Sequence, residues 1–235
     1  MIKAAVTVLV LCAVLSCSDD TAVMAELDRA EAVMEEYPDS ALALLDTLDR
    51  GRLTTREARA RHGSHDYRLM TQYYLGRIYQ NAGDNESAMR CFVQAERYVP
   101  ECSDAGMAAR LYTAMTAIYY SVYQFEKALT ASVNAADYYL SDADTNQYAD
   151  KMITAANISL LLKDTVKIHE YLSKVRLVFR SISDEEKGYY FGEYLASLPK
   201  NSVRLTSTVL DEYLSTVTDP AYQDHINIAI AWYRI

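Results

Sequence analysis

Apolar residues recur three or four positions apart along nearly the whole chain, and no stretch alternates apolar and polar residues as a strand does. This spacing places the apolar side chains of each segment on one face of an α-helix. Glycine and proline are scarce, with 7 and 4 residues among 235, whereas an all-β protein needs many turns. The apolar content of 51% still allows a substantial core. We therefore expect an all-α fold.

The breaks between the periodic segments are short, so neighbouring helices are expected to form antiparallel hairpins. No linker or low-complexity stretch divides them, which predicts one continuous domain from residue 17 onward. Ser183 followed by Glu186 has the spacing of a capping box at the start of one helix. The predicted helices cover residues 21–37, 41–48, 66–82, 84–98, 104–122, 125–140, 145–162, 165–180, 184–197, 201–216 and 220–234.

The charge balance excludes one class of partner. The formal net charge is −9, and a surface that binds phosphates needs clustered lysine and arginine. We therefore expect no nucleic-acid partner.

The N-terminus carries an export signal. Lys3 precedes an apolar run, Ala4–Leu15, that is too short to cross a bilayer. Ser16 and Cys17 follow, and this junction resembles a bacterial lipobox. The resemblance implies a signal peptide over residues 1–16, cleavage before Cys17, and lipid attachment to that cysteine, where several acyl chains give stable anchoring. The alternative is an ordinary secretory signal in which Cys17 is incidental.

The residues after the cysteine bear on the orientation of the anchor. Ser18-Asp19-Asp20 resembles the acidic export signal of Bacteroidetes surface lipoproteins. The resemblance implies a lipid-anchored protein of the outer membrane, displayed at the cell surface. The alternative is an anchor that faces the periplasm.

The segment Gln72–Pro100 carries the most specific pattern in the chain, because it matches the tetratricopeptide repeat at every position except the first, where Gln replaces Trp. Gly76 and Ala88 are small, as expected where the two helices of a hairpin cross closely. Tyr79 and Phe92 are expected to fill the volume beside that crossing. The matching residues are Leu75, Gly76, Tyr79, Ala88, Phe92, Ala95 and Pro100.

The connections of this hairpin are also encoded. Gly83-Asp84 is expected to turn the chain and cap the next helix, and Pro100 to stop the second helix. The unit recurs weakly at intervals of 40 residues, with Ile168 at the counterpart of Ala88, which predicts a looser crossing there. The expected organisation is an opening hairpin over 20–50, tetratricopeptide-like units over 69–102, 109–141 and 149–181, a helical hairpin over 184–216 and a terminal helix over 220–234.

The export signal, the opening hairpin from Ala25 to Asp46 and the repeat together resemble the tetratricopeptide-repeat lipoproteins of Bacteroidetes. The resemblance implies an α–α superhelix, a right-handed solenoid of antiparallel helical hairpins. It also implies that the first helix of each hairpin lines a concave groove that binds an extended peptide. By that resemblance the groove-facing residues are Met70, Tyr73, Arg77, Asn81, Arg110, Thr113, Ala117, Tyr120, Ile153, Asn157 and Leu160.

Two short stretches have the spacing of metal ligands. His62-x-x-His65-Asp66 lacks an obvious further ligand nearby, which favours a solvated helix junction. Asp142-x-Asp144-x-Asn146 resembles the start of a calcium loop, but Gln and Ile stand where that loop requires Gly and Glu. A helix N-terminal cap is the better interpretation of this stretch, and we expect no metal.

Catalytic signatures are missing from the sequence. It has no glycine-rich phosphate loop, no G-x-S-x-G elbow and no HExxH motif, and His169 and His225 have no neighbours that suggest a proton relay. We expect neither a cofactor nor an enzymatic activity. Cys91 and Cys102 are expected to remain separate, because about ten helical residues place them roughly 15 Å apart.

The prediction for function is therefore a non-enzymatic, membrane-anchored scaffold that binds a peptide or a partner protein. Two alternatives remain. One is a carbohydrate-binding surface lipoprotein linked to glycan uptake, in which some of the 20 tyrosines stack on sugars. The other is a truncated sensor or regulator that has lost its signalling domain.

Overall fold

The computed structural model describes residues 64–198, together with 29–30, 32–33, 40, 43–44, 211–212 and 215–222. Several sequence predictions lie outside these residues: the signal peptide, the lipidation site Cys17, the side chains of the His62–His65 stretch, His225 and most of the terminal helix. The predicted opening hairpin is described only at scattered positions within 29–44, and these are helical.

The described residues form an all-α structure without a strand, as predicted. The predicted helix bounds agree with the observed ones to within about two residues between 64 and 198. The helices are α1 (Ser64–Asn81), α2 (Asn85–Glu96), α3 (Ala105–Ser121), α4 (Phe125–Ser141), α5 (Thr145–Leu161), α6 (Thr165–Val178) and α7 (Asp184–Ser197), with a 3-10 helix, η1, at Val99–Glu101. Among the described residues, no helix is both long and apolar enough to span a membrane.

The chain divides into two compact units, Met1–Asp104 and Ala105–Ile235. In the first unit, α1 packs against α2 and η1. In the second unit, each helix from α3 to α7 packs against the next one along the chain, and α5 also contacts α7.

The crossing of α1 and α2 has the geometry that the repeat pattern predicts. Gly76 is buried, and a Cβ atom added to it would lie 2.5 Å from Cδ1 of Phe92. Ala88, Phe92 and Ala95 are fully buried on the facing side of α2. The absent side chain at Gly76 therefore lets the Phe92 ring lie directly on the α1 backbone.

One turn geometry recurs at four of the six connections between α1 and α7. The penultimate turn residue has a positive φ in each case, at Gly83, Tyr123, Ala143 and Lys163. The following N–H donates to the carbonyl five residues earlier, and the positive-φ residue donates to the carbonyl three residues earlier, which is the Schellman motif. Only the first of these turns uses glycine, so it is the backbone geometry that recurs.

The residue after each positive-φ position begins the next helix. Asp84, Asp144 and Asp164 each accept a hydrogen bond from the N–H three residues later. The N-cap interpretation of the 142–146 stretch is therefore confirmed. Ser183 likewise accepts from the N–H of Glu186, and its hydroxyl donates to the carboxylate of that residue.

Small buried residues bring α4 and α5 together in the second unit. Ala128, Ala135, Ala149 and Ala156 are all fully buried. Ser132 is also buried, and its hydroxyl donates to the Lys151 carbonyl of α5 at 2.8 Å. Ile168, at the counterpart of Ala128, is buried as well.

One expectation for the first unit needs correction. The second helix ends at Glu96, and Pro100 lies within η1 rather than at the helix end. Cys91 and Cys102 are free thiols, as expected, and burial raises the pKa of Cys102 to about 12.

Adjacent residues on a helix point about 100° apart, so each pair of consecutive tyrosines is expected to place one ring inward and the other at a border. Three pairs fit: Tyr120 and Tyr189 are exposed and Tyr138 is half-buried, while the neighbour of each is more buried. The pair Tyr73-Tyr74 does not fit, because both rings are buried.

Candidate functional site

The first unit contributes only part of the predicted groove. Met70 and Tyr73 are buried, at 7% and 5% exposure, so the assignment of these two side chains to an open surface is wrong. Tyr73 is buried because its ring packs edge-on against Tyr74 and lies 6.1 Å from the Phe92 ring. Asn81 is exposed at the end of α1, as a groove residue requires.

Arg77 is half-buried beside Tyr73. Its Nη1 donates to the Tyr73 hydroxyl at 3.4 Å. Among the buried side-chain nitrogen and oxygen atoms that the structure describes, Nε of Arg77 is the one without a hydrogen-bond partner. A buried donor without an acceptor carries a desolvation cost.

Helix α3 presents the predicted residues of the second unit as one stripe. Arg110, Ala117 and Tyr120 are exposed, and Thr113 is half-buried with its hydroxyl donating to the Ala109 carbonyl. Their spacing of three and four keeps them on one face. This stripe offers a cation, a polar contact and an aromatic ring.

On α5 one of the three predicted residues is buried. Ile153 is buried at 6% exposure, which corrects its assignment to the groove, whereas Thr154 and Leu161 are more exposed. Leu160 is half-buried. Asn157 is half-buried, and its Nδ2 donates to Oε1 of Glu193 on α7 at 2.8 Å. Asn157 therefore joins two helices, which the sequence prediction did not anticipate.

Burial disfavours the charged form of the Glu193 carboxylate. Desolvation raises its pKa above the usual glutamate value, and the hydrogen bond from Asn157 opposes that rise. The pair links α5 to α7, which are also in contact along their backbones. Asn157 and Glu193 thus form a polar contact between α5 and α7.

Contacts between equivalent helices repeat at one sequence separation. Asn157 and Glu193 are 36 residues apart, and so are Arg176 and Glu212. The N–H of Ser183 donates to Oδ1 of Asn146, 37 residues earlier. These contacts join the α5–α6 hairpin to α7 and to the helical segment at 211–212.

A cleft of about 310 Å³ opens between α6, α7 and the helical segment at 211–212. The guanidinium of Arg176 lies in this cleft, where it pairs with Glu212 and lies 5.6 Å from the Phe179 ring centre. Tyr190 and Tyr194 stack at 6.1 Å on one wall. The lining residues are His169, Leu172, Ser173, Arg176, Tyr190, Phe191, Tyr194 and Glu212.

No sequence motif predicted this cleft. His169 was examined only as a catalytic group, and Arg176 and Glu212 were not among the predicted site residues. The Tyr189-Tyr190 doublet was the one available signal. The cleft combines aromatic walls with a paired donor and acceptor, as small-molecule sites do.

Within the described residues, no three His, Cys, Asp or Glu side chains converge as metal ligands would. No protein-family model matches this chain. A comparison with curated proteins also gives no match.

Proposed function

We propose that this chain is a non-enzymatic, membrane-anchored tetratricopeptide-repeat lipoprotein of the Bacteroidetes type. Its hairpins form a right-handed superhelix, and the concave face binds a peptide or a partner protein. Cys17 carries the lipid anchor, which places the protein at the outer membrane, on the cell surface.

The observation that carries this proposal is the recurrence of one turn geometry, together with contacts that join the α5–α6 hairpin to the helices that follow it. The same turn recurs at Gly83, Tyr123, Ala143 and Lys163, and contacts 36 or 37 residues apart join equivalent helices. A regular stack of hairpins supports a continuous binding surface along its first helices.

The α3 stripe is the part of this surface best suited to a partner. Arg110 and Tyr120 are of the residue types that dominate binding energy at protein interfaces. Ala117 between them leaves room for a backbone to approach. In this proposal a peptide lies across α3, α5 and α7, with Arg110 pairing its carbonyl or acidic groups and Tyr120 packing on an apolar side chain.

Capture of partners tests the proposed surface. The tagged full chain is used to capture proteins from detergent-solubilised membranes of the native cells, with Arg110→Ala plus Ala117→Glu as the test variant. Leu177→Ala plus Arg180→Ala, which changes exposed residues at the end of α6, is the matched control. We expect the wild-type chain and the control variant to capture the same specific partner, and the test variant to lose it. Equal recovery by all three would refute binding on this face.

The anchor has a separate test. Cells grown with radiolabelled palmitate are expected to label the wild-type chain and not Cys17→Ala, and that variant is expected to leave the membrane fraction. Persistent labelling or membrane retention of Cys17→Ala would contradict lipidation at this residue.

The cleft favours a second candidate function, binding of a neutral saccharide. The Arg176–Glu212 pair offers a donor beside an acceptor without net charge, and sugar hydroxyls can satisfy both. Saturation-transfer NMR with neutral monosaccharides is expected to show binding that Tyr194→Ala abolishes and Tyr189→Ala, an exposed tyrosine outside the cleft, preserves. If no sugar receives saturation, this candidate is wrong.

A further inference from the structure

Large apolar side chains are exposed mainly at one end of the second unit. Of the nine that are exposed among the described residues, five lie at two turns. Because α3 to α6 are successive antiparallel helices with short turns, the α3–α4 and α5–α6 turns lie at the same end of the unit. We call these five residues the turn patch: Tyr120, Val122, Tyr123, Leu161 and Val166.

Tyr123 is the most informative residue of the turn patch. Its φ is 60°, in the left-handed region, where the equivalent turn of the first unit has Gly83. A bulky residue is disfavoured there, and this one also exposes 80% of its surface. Ala143 and Lys163 have the same φ at two other turns, so the distinguishing feature of Tyr123 is its exposed aromatic ring, which a binding role accounts for.

The patch is held in a fixed arrangement. The rings of Tyr120 and Tyr123 both pack edge-on against Phe125, at 5.6 Å and 6.0 Å between ring centres. Tyr123 therefore projects from a supported base. Rigid aromatic groups lose little conformational entropy when they bind.

Charge is distributed unevenly between the two ends of the second unit. Lys127, Lys163 and Lys167 are exposed at the turn-patch end, where Glu126 and Asp164 are the described acidic residues. Asp164 already caps α6 and lies 3.8 Å from Lys167.

The opposite end of the unit is acidic. Asp142, Asp144, Asp184, Glu185 and Glu186 lie at the α4–α5 turn and the start of α7. Burial is the main cause that raises the pKa of Glu186, and its acidic neighbours raise it further. A surface of negative charge therefore attracts the turn-patch end and repels the other.

We propose that the turn patch docks on an anionic lipid surface. Tyrosine and valine side chains enter the boundary between headgroups and acyl chains, while the lysines contact lipid phosphates. The acidic end then points away from the membrane. This surface shares Tyr120 with the proposed peptide-binding face, and its test relies on Val122, Tyr123 and Val166, which lie outside that face.

Hydrogen–deuterium exchange on vesicles tests the proposal with a local measurement. The full chain is compared in buffer, on phosphatidylcholine vesicles and on vesicles that also contain phosphatidylglycerol. We expect the amides of both turns, near residues 121–126 and 162–168, to exchange severalfold more slowly only with phosphatidylglycerol, and high salt to remove the effect. Because the measurement is local, binding of vesicles by the N-terminal apolar run does not imitate this result.

Two variants separate docking from folding. Tyr123→Gly relieves the left-handed φ, so we expect unchanged or higher thermal stability together with loss of turn protection. Val122→Ser plus Val166→Ser is expected to lose protection as well. Leu140→Ser plus Leu177→Ser, exposed residues outside the turn patch, is the matched control and is expected to keep it.

Four results would overturn the proposal. The first is that the two turns are not protected on anionic vesicles, and the second is that Tyr123→Gly keeps the protection. The third is protection in buffer that depends on protein concentration, which indicates a second copy. The fourth is protection that appears only with a protein partner.

Discussion

Gly76 and Phe92 meet at the crossing of α1 and α2, where the ring of Phe92 occupies the space that a side chain at Gly76 would need. This contact joins two positions of the repeat pattern that lie 16 residues apart in the sequence. It shows how the pattern specifies a close helix crossing in the first unit.

Gly76→Ala is expected to destabilise the chain despite the better helix propensity of alanine. The added methyl group must displace the Phe92 ring, and overpacking of a core costs about 1–3 kcal/mol. The control is Gly192→Ala on α7, where an added Cβ meets nothing within 4 Å. That change is expected to stabilise by about 0.5–1 kcal/mol. Urea unfolding of both variants measures the difference, and equal effects would refute the close crossing.

Asp184 is expected to make stability depend on acid pH. Its carboxylate accepts from Lys187 Nζ and from the N–H groups of Thr218 and Asp219, and these bonds, led by that of Lys187, lower its pKa from 3.8 to about 2. A lowered carboxyl pKa contributes stability above the unfolded value, which is lost as pH falls from about 4 to about 2.

The Asp184→Asn variant isolates this contribution. Thermal unfolding between pH 2 and pH 7 gives the melting temperature at each pH. Toward acid pH, the melting temperature of this variant is expected to fall less steeply than that of wild type. Asp142→Asn changes an exposed residue at the end of α4 and is the control, which should keep the pH dependence of the wild-type melting temperature. If the melting temperature of Asp184→Asn falls toward acid pH as steeply as that of wild type, the hydrogen bonds to Asp184 do not make this contribution.

Glu193 should respond to pH in the opposite sense. Because burial raises its pKa, its contribution is present below the unfolded pKa and lost as the pH rises through the folded value. Glu193→Gln keeps an acceptor for Asn157 without the buried charge, so its melting temperature at neutral pH should exceed that of wild type. The difference is expected to vanish at low pH. Glu185→Gln, which is exposed, is the control, and a destabilised Glu193→Gln at neutral pH would contradict the burial argument.

Local chemistry made most of the described fold predictable. Helix bounds follow from apolar spacing and from caps such as Asp84 and Asp144, which act within one turn of the chain. The Gly76–Phe92 crossing followed from the repeat pattern. What failed was the exposure of single residues: Tyr73 and Ile153 were assigned to an open face and are buried, whereas Arg77 and Asn157 one turn further on are half-buried.

The candidate site was less predictable than the fold. The pairs Asn157–Glu193 and Arg176–Glu212 depend on how one hairpin stacks on the next. A weak repeat with a 40-residue interval does not specify contacts that are 36 residues apart. The cleft arises from the same stacking, so its residues carry no shared sequence signal.

Site-specific photo-crosslinking tests the central claim, that the exposed face of α3 binds a protein partner, most directly. p-Benzoylphenylalanine is placed at Ala117, or at Asp137 on α4 as the control, and the native cells are irradiated. The account predicts one discrete crosslinked protein from position 117 and none from position 137. No adduct at 117, or the same adduct at both positions, would contradict it.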